Sequence, residues 1–261
     1  YTTIDDPSAH FQTVTYSGNG STQSITNVGN SDLQPDWLWF KNRNDTQVHQ
    51  LFDTTRGVAK ALRSNDTDAE NTDDPNDRLT AINSDGFSLG DDGNPNNGSN
   101  TYVCWQWKAN GGTTSTNNDG TVDVTIQVNS TAGFSIMKWN GNGNTSGTVG
   151  HGLGAKPDFI VEKYGLDGTS NWGVAFPALE TSKLLTLNST SGFATASGLS
   201  GYNTTVWTDG NGAATGGTIA YAFKNIQGYS KFGKYTGTGN SDGPFVYTGF
   251  KPAWLMIKRK E

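Results

Sequence analysis

One short stretch of the sequence brings together residue types that can do acid–base chemistry. It reads VHQLFDTTRG and contains His49, Asp53 and Arg56. A histidine oriented by a carboxylate can act as a general base toward a serine or cysteine nucleophile, but no strand-to-helix elbow motif places such a nucleophile beside this stretch. A second, similar unit of the chain has WGVAFPALE at the corresponding place and lacks the histidine and the arginine. We therefore expect a structural polar cluster in which Arg56 pairs with an acid, and no enzymatic activity.

An acidic, glycine-rich loop offers oxygen ligands of the kind that Ca²⁺ prefers. The loop reads DDGNPNNGSN, and its candidate ligands are Asp91, Asp92, Asn94 and Asn96. It lacks the spaced acids and the distal glutamate of an EF-hand loop. Asp and Asn residues also form tight turns without any metal, so turn formation is the alternative interpretation. The sequence predicts no other cofactor.

Several aromatic residues adjoin Gly-, Asn- and Thr-rich loops, where an exposed ring can stack on a sugar. Packing in the core or at an interface is the alternative for every one of them. The tryptophans of TYVCWQW share one strand face and are predicted to be core residues instead. The candidate glycan-binding residues are Trp139, Trp172, Tyr202, Trp207 and Tyr235.

The elements that position these side chains are predicted to be β-strands. Aromatic residues make up 11% of the chain, including eight Trp, which argues against disorder, and 34 Gly punctuate short aromatic and β-branched runs. No helical stripe of convincing length is present. The pattern predicts an all-β protein of tandem antiparallel β-sandwiches with a jelly-roll, concanavalin A-like architecture.

Composition also narrows the partners. The formal net charge of -6 disfavours binding to nucleic acid, and no apolar stretch is long enough to insert into a membrane. The single cysteine, Cys104, cannot form an intramolecular disulfide, and its strand context predicts a buried thiol.

Two sequence motifs each occur three times along the chain. An aromatic–glycine signature follows Phe11, Phe134 and Phe232, and a proline stretch then reads PDWLWF, PDFIVE or PAWLMI. Repeats this long are whole domains in tandem. The predicted organisation is a sandwich over residues 1–112, a polar joint over 113–120, a second sandwich over 121–228 and the start of a third, truncated repeat over 229–261. Because some thirty residues cannot complete a sandwich, we expect the natural protein to continue beyond Glu261.

The proline stretch has apolar residues at consecutive positions in all three units. Strand side chains alternate between the two faces of a sheet, so both faces of this strand are predicted to be covered. One face belongs to the interior of the sandwich, and the other must meet a neighbouring domain or a neighbouring subunit. The candidate interface residues are Trp37, Trp39, Phe159 and Trp254.

Five motifs in order resemble a family of tailed-phage virion proteins that is common in marine phages and described as tail or structural proteins. They are FQTVTYSGNGSTQSI, PDWLWFKNR, HQLFDTTRG, NSDGFSLG and TYVCWQWKA. The resemblance covers the first unit well and the second more loosely. It implies tandem concanavalin A-like (laminin G-like) β-sandwiches and supplies no catalytic residues.

Three classes of function follow from the residues and the resemblance. The leading expectation is a non-enzymatic phage virion component, in a fibre, a tail or a capsid decoration, that projects its sandwiches for assembly and contact with the host surface. A lectin-like carbohydrate-binding module is the alternative, and a polysaccharide depolymerase has the least support. The expected partners are other virion proteins, further copies of the chain (a trimer is favoured) and host-surface glycan. The expected location is the virion, after synthesis in the host bacterial cytoplasm.

Overall fold

The computed structural model describes residues 2–72, 77–91, 93–141, 146–195, 198–210 and 216–261. Within these ranges nearly all regular structure is antiparallel β-sheet, and helix is confined to the short segments Pro7–Ala9 and Gly93–Asn96. Gly86 directly follows a turn between two strands, and its positive φ of 102° disfavours residues with a Cβ. The predicted all-β sandwich class is confirmed.

The first unit contains two facing sheets. One sheet has the order β1-β7-β3-β4 and the other has the order β2-β6-β5. Their shared core includes Leu38, Phe40, Phe52, Phe87 and Cys104, all fully or almost fully buried. The buried Cys104 thiol agrees with its predicted strand context. The strands are β1 Phe11–Ser17, β2 Gln23–Ile25, β3 Trp37–Asn42, β4 Gln50–Asp53, β5 Leu79–Asn83, β6 Gly86–Leu89 and β7 Thr101–Trp107.

The second unit has a larger main sheet and a small facing sheet. The main sheet has the order β15-β14-β13-β12-β18-β10-β9-β8, and the small one is β11-β17-β16. The predicted joint at residues 113–120 is not only a linker, because β8 lies inside it and pairs with β9. The strands are β8 Ser115–Asn117, β9 Val124–Asn129, β10 Phe134–Trp139, β11 Gly147–Gly150, β12 Phe159–Tyr164, β13 Trp172–Phe176, β14 Glu180–Thr186, β15 Ala194–Thr195, β16 Leu199–Ser200, β17 Val206–Asp209 and β18 Thr218–Phe223.

The repeat in the sequence is a repeat in strand order. The order β4-β3-β7-β1 in the first unit matches β13-β12-β18-β10 in the second, and β2-β6-β5 matches β11-β17-β16. The registers agree as well. Trp107 lies between Phe11 and Trp37, just as Phe223 lies between Phe134 and Phe159. The aromatic motifs therefore mark equivalent positions in equivalent sheets.

The proline strand of the first unit is covered on both faces. Leu38 and Phe40 point into the core of the first sandwich, whereas Trp37 and Trp39 point into a second core that lies between the two main sheets. In that second core the Trp37 ring stacks on Tyr221 of the second unit, with ring centroids 4.2 Å apart and an interplanar angle of 15°. The layer that covers the strand therefore comes from the same chain. We call this shared cluster the junction core.

The third repeat forms no strand among its described residues, 229–261. A ladder requires a neighbouring strand to exchange hydrogen bonds, and this segment has only scattered ones, such as Phe193 N–H to the Lys260 carbonyl. Its aromatic residues instead pack on the junction core. Phe232 stacks on Phe159 at 5.1 Å, and Trp254 lies 5.4 Å from Trp107. Aromatic positions of all three repeats therefore converge on one core.

Candidate functional site

The structure separates His49 from Asp53 and Arg56. The Trp39 indole N–H donates a hydrogen bond to His49 Nδ1 at 2.8 Å. Asp53 Oδ2 instead accepts hydrogen bonds from Arg56 Nε at 2.5 Å and from the Tyr221 hydroxyl at 2.7 Å. The predicted pairing of Arg56 with an acid is confirmed. No carboxylate orients the His49 ring in the described contacts, so this geometry does not form the base that the spacing allows.

Arg56 and Asp53 belong to a buried polar network that joins the two units. Their side chains are fully buried, and Arg56 Nη1 also donates to Glu70 Oε1 at 3.0 Å. Tyr221 reaches the network from the second unit. Burial and the Asp53 carboxylate raise the pKa of Tyr221, which keeps the phenol protonated as a donor. The network is a structural connection within the junction.

Three of the five predicted glycan-binding aromatics are core residues, and that part of the prediction is wrong. Trp139 is 2% exposed, and Trp172 and Trp207 are fully buried. The Trp172 indole N–H donates to the Arg63 carbonyl at 2.8 Å, and Trp207 stacks on His151 with centroids 5.8 Å apart. The polar residues next to these tryptophans in the sequence do not make their rings solvent-exposed, because each tryptophan lies on the inward face of a strand.

The two tyrosines among those candidates differ in their surroundings. Tyr202 is partly buried against the core of the second sandwich, where burial and then Glu162 raise its pKa. Tyr235 lies in the third segment and is 47% exposed.

The acidic loop is held by hydrogen bonds, two of them to residues more than seventy positions away in the sequence. The Asn96 side chain is fully buried, accepts from the backbone N–H of Asn19 at 3.1 Å and from Gln23 Nε2 at 2.5 Å, and donates to the Gly90 carbonyl at 2.6 Å. Its amide is therefore engaged and does not offer a free ligand to Ca²⁺. Asn94 contributes its backbone carbonyl to Gln50, Asp91 is exposed, and Asp92 lies outside the described residues. Among the described residues, no group of three or more His, Cys, Asp or Glu is placed to hold a metal ion.

Residues 239–243 read GNSDG and match the G-x-S-x-G pattern of a nucleophile elbow. The structure places these residues on an exposed bend of the third segment, with no strand directly before them and no helix directly after them. An elbow requires a strand–turn–helix context to hold its serine in a strained, exposed position. Ser241 therefore lacks the setting of an activated nucleophile.

A cleft of about 470 Å³ lies where the three repeats meet, and three tryptophans form much of its wall. Trp39 and Trp105 are opposite each other on β3 and β7, and Trp254 comes from the third segment. The ring centroids of Trp39 and Trp105 are 6.2 Å apart with an interplanar angle of 87°. The Trp254 ring lies 6.4 Å from Trp39 at an angle of 56° and 6.5 Å from Trp105 at an angle of 64°. The other residues that line this aromatic cleft are His49, Ser64, Asn65, Leu187, Ala253, Leu255 and Met256.

The aromatic cleft has a polar side. Burial, with a smaller contribution from Lys41, lowers the pKa of His49 to about 4, so the imidazole is neutral at pH 7. Because Nδ1 accepts from Trp39, the ring proton is on Nε2, which is a donor. Asn65 borders the same side and accepts from the His49 backbone N–H at 2.9 Å through Oδ1. The cleft thus combines aromatic rings with neutral hydrogen-bonding groups.

The sequence pattern alone does not identify the cleft. The pattern predicts interface positions for Trp39 and Trp254 and a core position for Trp105; in the structure Trp39 belongs to the junction core, and Trp105 and Trp254 are partly buried against it. The sequence signal that could have indicated the cleft is the number of large aromatic residues on the strand face that points away from the core of the first sandwich. In the first unit two tryptophans occupy that face on adjacent strands, whereas the second unit has Val161 and Tyr221 at the equivalent positions.

The core of the second sandwich contains a carboxyl group at a position that is apolar in the first. Glu162 faces Ala220 in the ladder, where the first unit pairs Phe40 with Cys104. Glu162 is fully buried, and neither of its carboxyl oxygens has a hydrogen-bond partner among the described residues. Burial and then Asp209 raise the pKa of Glu162 well above its usual value. Native Glu162 therefore keeps its proton to a higher pH than the same carboxyl group does in the unfolded chain.

This buried acid predicts a pH-dependent stability. Above the ordinary value of 4.5 the unfolded chain releases the Glu162 proton while the native state retains it, so stability falls as the pH rises toward the folded pKa. We expect Glu162→Gln to flatten this slope and to raise the melting midpoint at pH 8, by about 2–4 °C for each kcal/mol recovered. Thermal melts from pH 5 to pH 8 measure the effect. The control Glu180→Gln, at a partly exposed strand start, should keep the wild-type slope, and equal slopes for wild type and Glu162→Gln would contradict the assignment.

The fold and the aromatic cleft define a class of protein: an all-β chain of two equivalent sandwiches joined by one aromatic core. The chain belongs to the family named Domain of unknown function (DUF7483), whose model matches residues 6–261. Neither the curated proteins nor the solved structures contain a match to it. In the part of the chain that the structure describes, no helix has the length and apolar character needed to cross a membrane.

Proposed function

We propose that this protein is a non-enzymatic virion structural protein of a tailed phage, acting in a fibre, a tail or a capsid decoration. The observation that carries the proposal is the junction core, in which equivalent aromatic rows of two sandwiches pack face to face. Sandwiches joined in this way move as one body rather than as beads on a flexible linker. A rigid array of repeated domains suits a part that projects from a particle and bears load, and the motif resemblance points to the same class.

The polar residues support a binding or structural role rather than catalysis. His49 is a neutral hydrogen-bond acceptor for Trp39, and the Asp53 carboxylate accepts hydrogen bonds from Arg56 and Tyr221. The partners in this proposal are other virion proteins, further copies of the chain, with a trimer favoured, and host-surface glycan. The protein acts in the virion after synthesis in the host bacterial cytoplasm.

Labelling of intact particles tests the structural role. Antibodies raised against the chain should decorate purified particles of the phage that encodes it, at a repeated position visible by immunogold electron microscopy. Particles of an unrelated phage provide the control. Protein that remains in the lysate while purified particles stay unlabelled would refute the virion assignment. Release of reducing sugar from host polysaccharide by the purified chain would refute the proposal that the protein is non-enzymatic.

A lectin-like carbohydrate-binding module is the second candidate function, and the aromatic cleft is the observation that favours it. Ligand pockets in proteins are concave and mostly apolar, with a few polar groups that fix orientation, and volumes of roughly 300–1,000 Å³ are common. The cleft meets this description at about 470 Å³. The two functions are compatible, because a virion component that contacts the host needs a ligand-binding surface.

A further inference from the structure

We infer that the aromatic cleft is a binding site for a neutral saccharide. This inference rests on the host-contact part of the proposed function, and it names the surface and the ligand class. The cleft lies where residues from the first unit, from the second unit and from the third segment meet. It uses none of the rings that the sequence pattern singled out for glycan contact.

The tryptophans supply the apolar part of such a site. Trp39 is 6% exposed and forms the floor, while Trp105 and Trp254 are partly exposed and form walls. The Trp105 and Trp254 rings are inclined at 64° to each other, so the wall of the cleft contains two indole rings in different orientations. The C–H face of a pyranose ring is apolar and flat enough to stack on an indole, and tryptophan offers a large rigid surface with a polar handle.

The hydrogen-bonding groups supply the polar part. His49 Nε2–H is a donor at the cleft, because Nδ1 already accepts from Trp39. Asn65 is exposed and brings an amide N–H₂ to the same wall, while its Oδ1 holds the His49 backbone. A sugar hydroxyl accepts from such donors and donates in return. A purely apolar ligand would leave these groups without a partner, which lowers its affinity.

Charge decides between neutral and ionic ligands. Of the residues that line the cleft, all of which the structure describes, none carries a formal charge at pH 7. A uronic or sialic acid needs a cationic partner such as arginine to offset the desolvation of its carboxylate. Aromatic cages also bind quaternary ammonium groups. Here the cleft has no carboxylate to balance that charge, and its donors would point at a cation, so a neutral saccharide fits better.

The test is a titration of the full chain with the methyl glycosides of glucose, galactose and N-acetylglucosamine. Tryptophan fluorescence and saturation-transfer NMR report binding. We expect saturable binding of at least one glycoside and an affinity about tenfold weaker for Trp254→Ala and for Asn65→Ala, since each removes one main contact. The control Tyr235→Ala removes an exposed aromatic outside the cleft and should bind like wild type. Circular dichroism verifies that each variant is folded.

Each other outcome overturns the inference. Binding of choline with none of the three glycosides bound would make the cleft an ammonium cage. Glycoside binding that survives both Trp254→Ala and Asn65→Ala would place the sugar elsewhere on the chain. No binding by any probe would remove the cleft as a saccharide site. If the antibody labels the particles but no glycoside binds the chain, the virion role stands and only the saccharide site is refuted. The two proposals can therefore be refuted independently.

Discussion

Replacement of Trp37 by alanine should lower the free energy of unfolding by about 3–5 kcal/mol, the usual cost of deleting a buried large aromatic side chain. Trp37 is 2% exposed and touches rings from both units. Its centroid lies 4.2 Å from Tyr221 and 4.5 Å from Trp107. Alanine would leave a cavity in the junction core that neither sheet can close alone, because each main sheet is also fixed by the core on its other face.

Urea denaturation at pH 7 measures this loss. The matched control is Tyr235→Ala, an aromatic that is 47% exposed, for which we expect a change within about 0.5 kcal/mol. A single unfolding transition in wild type would show that both sandwiches unfold together. If Trp37→Ala is as stable as Tyr235→Ala, the junction core does not hold the two units together.

The sequence was sufficient to predict that Trp37 lies on a strand covered on both faces. Consecutive apolar residues after a proline have no other economical explanation in an all-β chain, and the three copies of the pattern reinforced it. The pattern could not say what covers the outer face. The alternation of side chains along a strand shows only whether each face is apolar. An apolar outer face can be covered equally well by a neighbouring domain or by a neighbouring subunit. The structure identifies the covering layer as the second unit.

The errors concerned residues whose environment depends on long-range packing. Trp207 follows a run of Asn and Thr, yet it lies inside the second sandwich against His151. Asn96 has the side chain of a metal ligand, but partners more than seventy residues away in sequence occupy it. Trp254 packs on the junction core, but its place in a cleft depends on the relative position of the three repeats. Local composition contains none of this information.

Replacement of Arg56 by methionine should cost about 3–5 kcal/mol of unfolding free energy, the range for removing one partner of a buried ion pair. The methionine side chain fills much of the same space but leaves the Asp53 carboxylate without its cation. Asp53 and Arg56 both have fully buried side chains, so water cannot replace the lost partner. Tyr221 would still donate to Asp53, but one neutral donor does not balance a buried charge.

Arg63→Met is the matched control for this loss, because Arg63 also lies in the first unit and pairs with acids at the surface. Its side chain is 34% exposed and its partners are Asp66 and Asp68. Surface ion pairs contribute about 0–1 kcal/mol, so this variant should remain close to wild type. The double variant Asp53→Asn/Arg56→Met separates charge from packing: it should recover part of the loss, since the uncompensated carboxylate is gone. Urea denaturation at pH 7 compares all four proteins. Equal losses for Arg56→Met and Arg63→Met would mean that the buried network contributes no more to stability than a surface ion pair does.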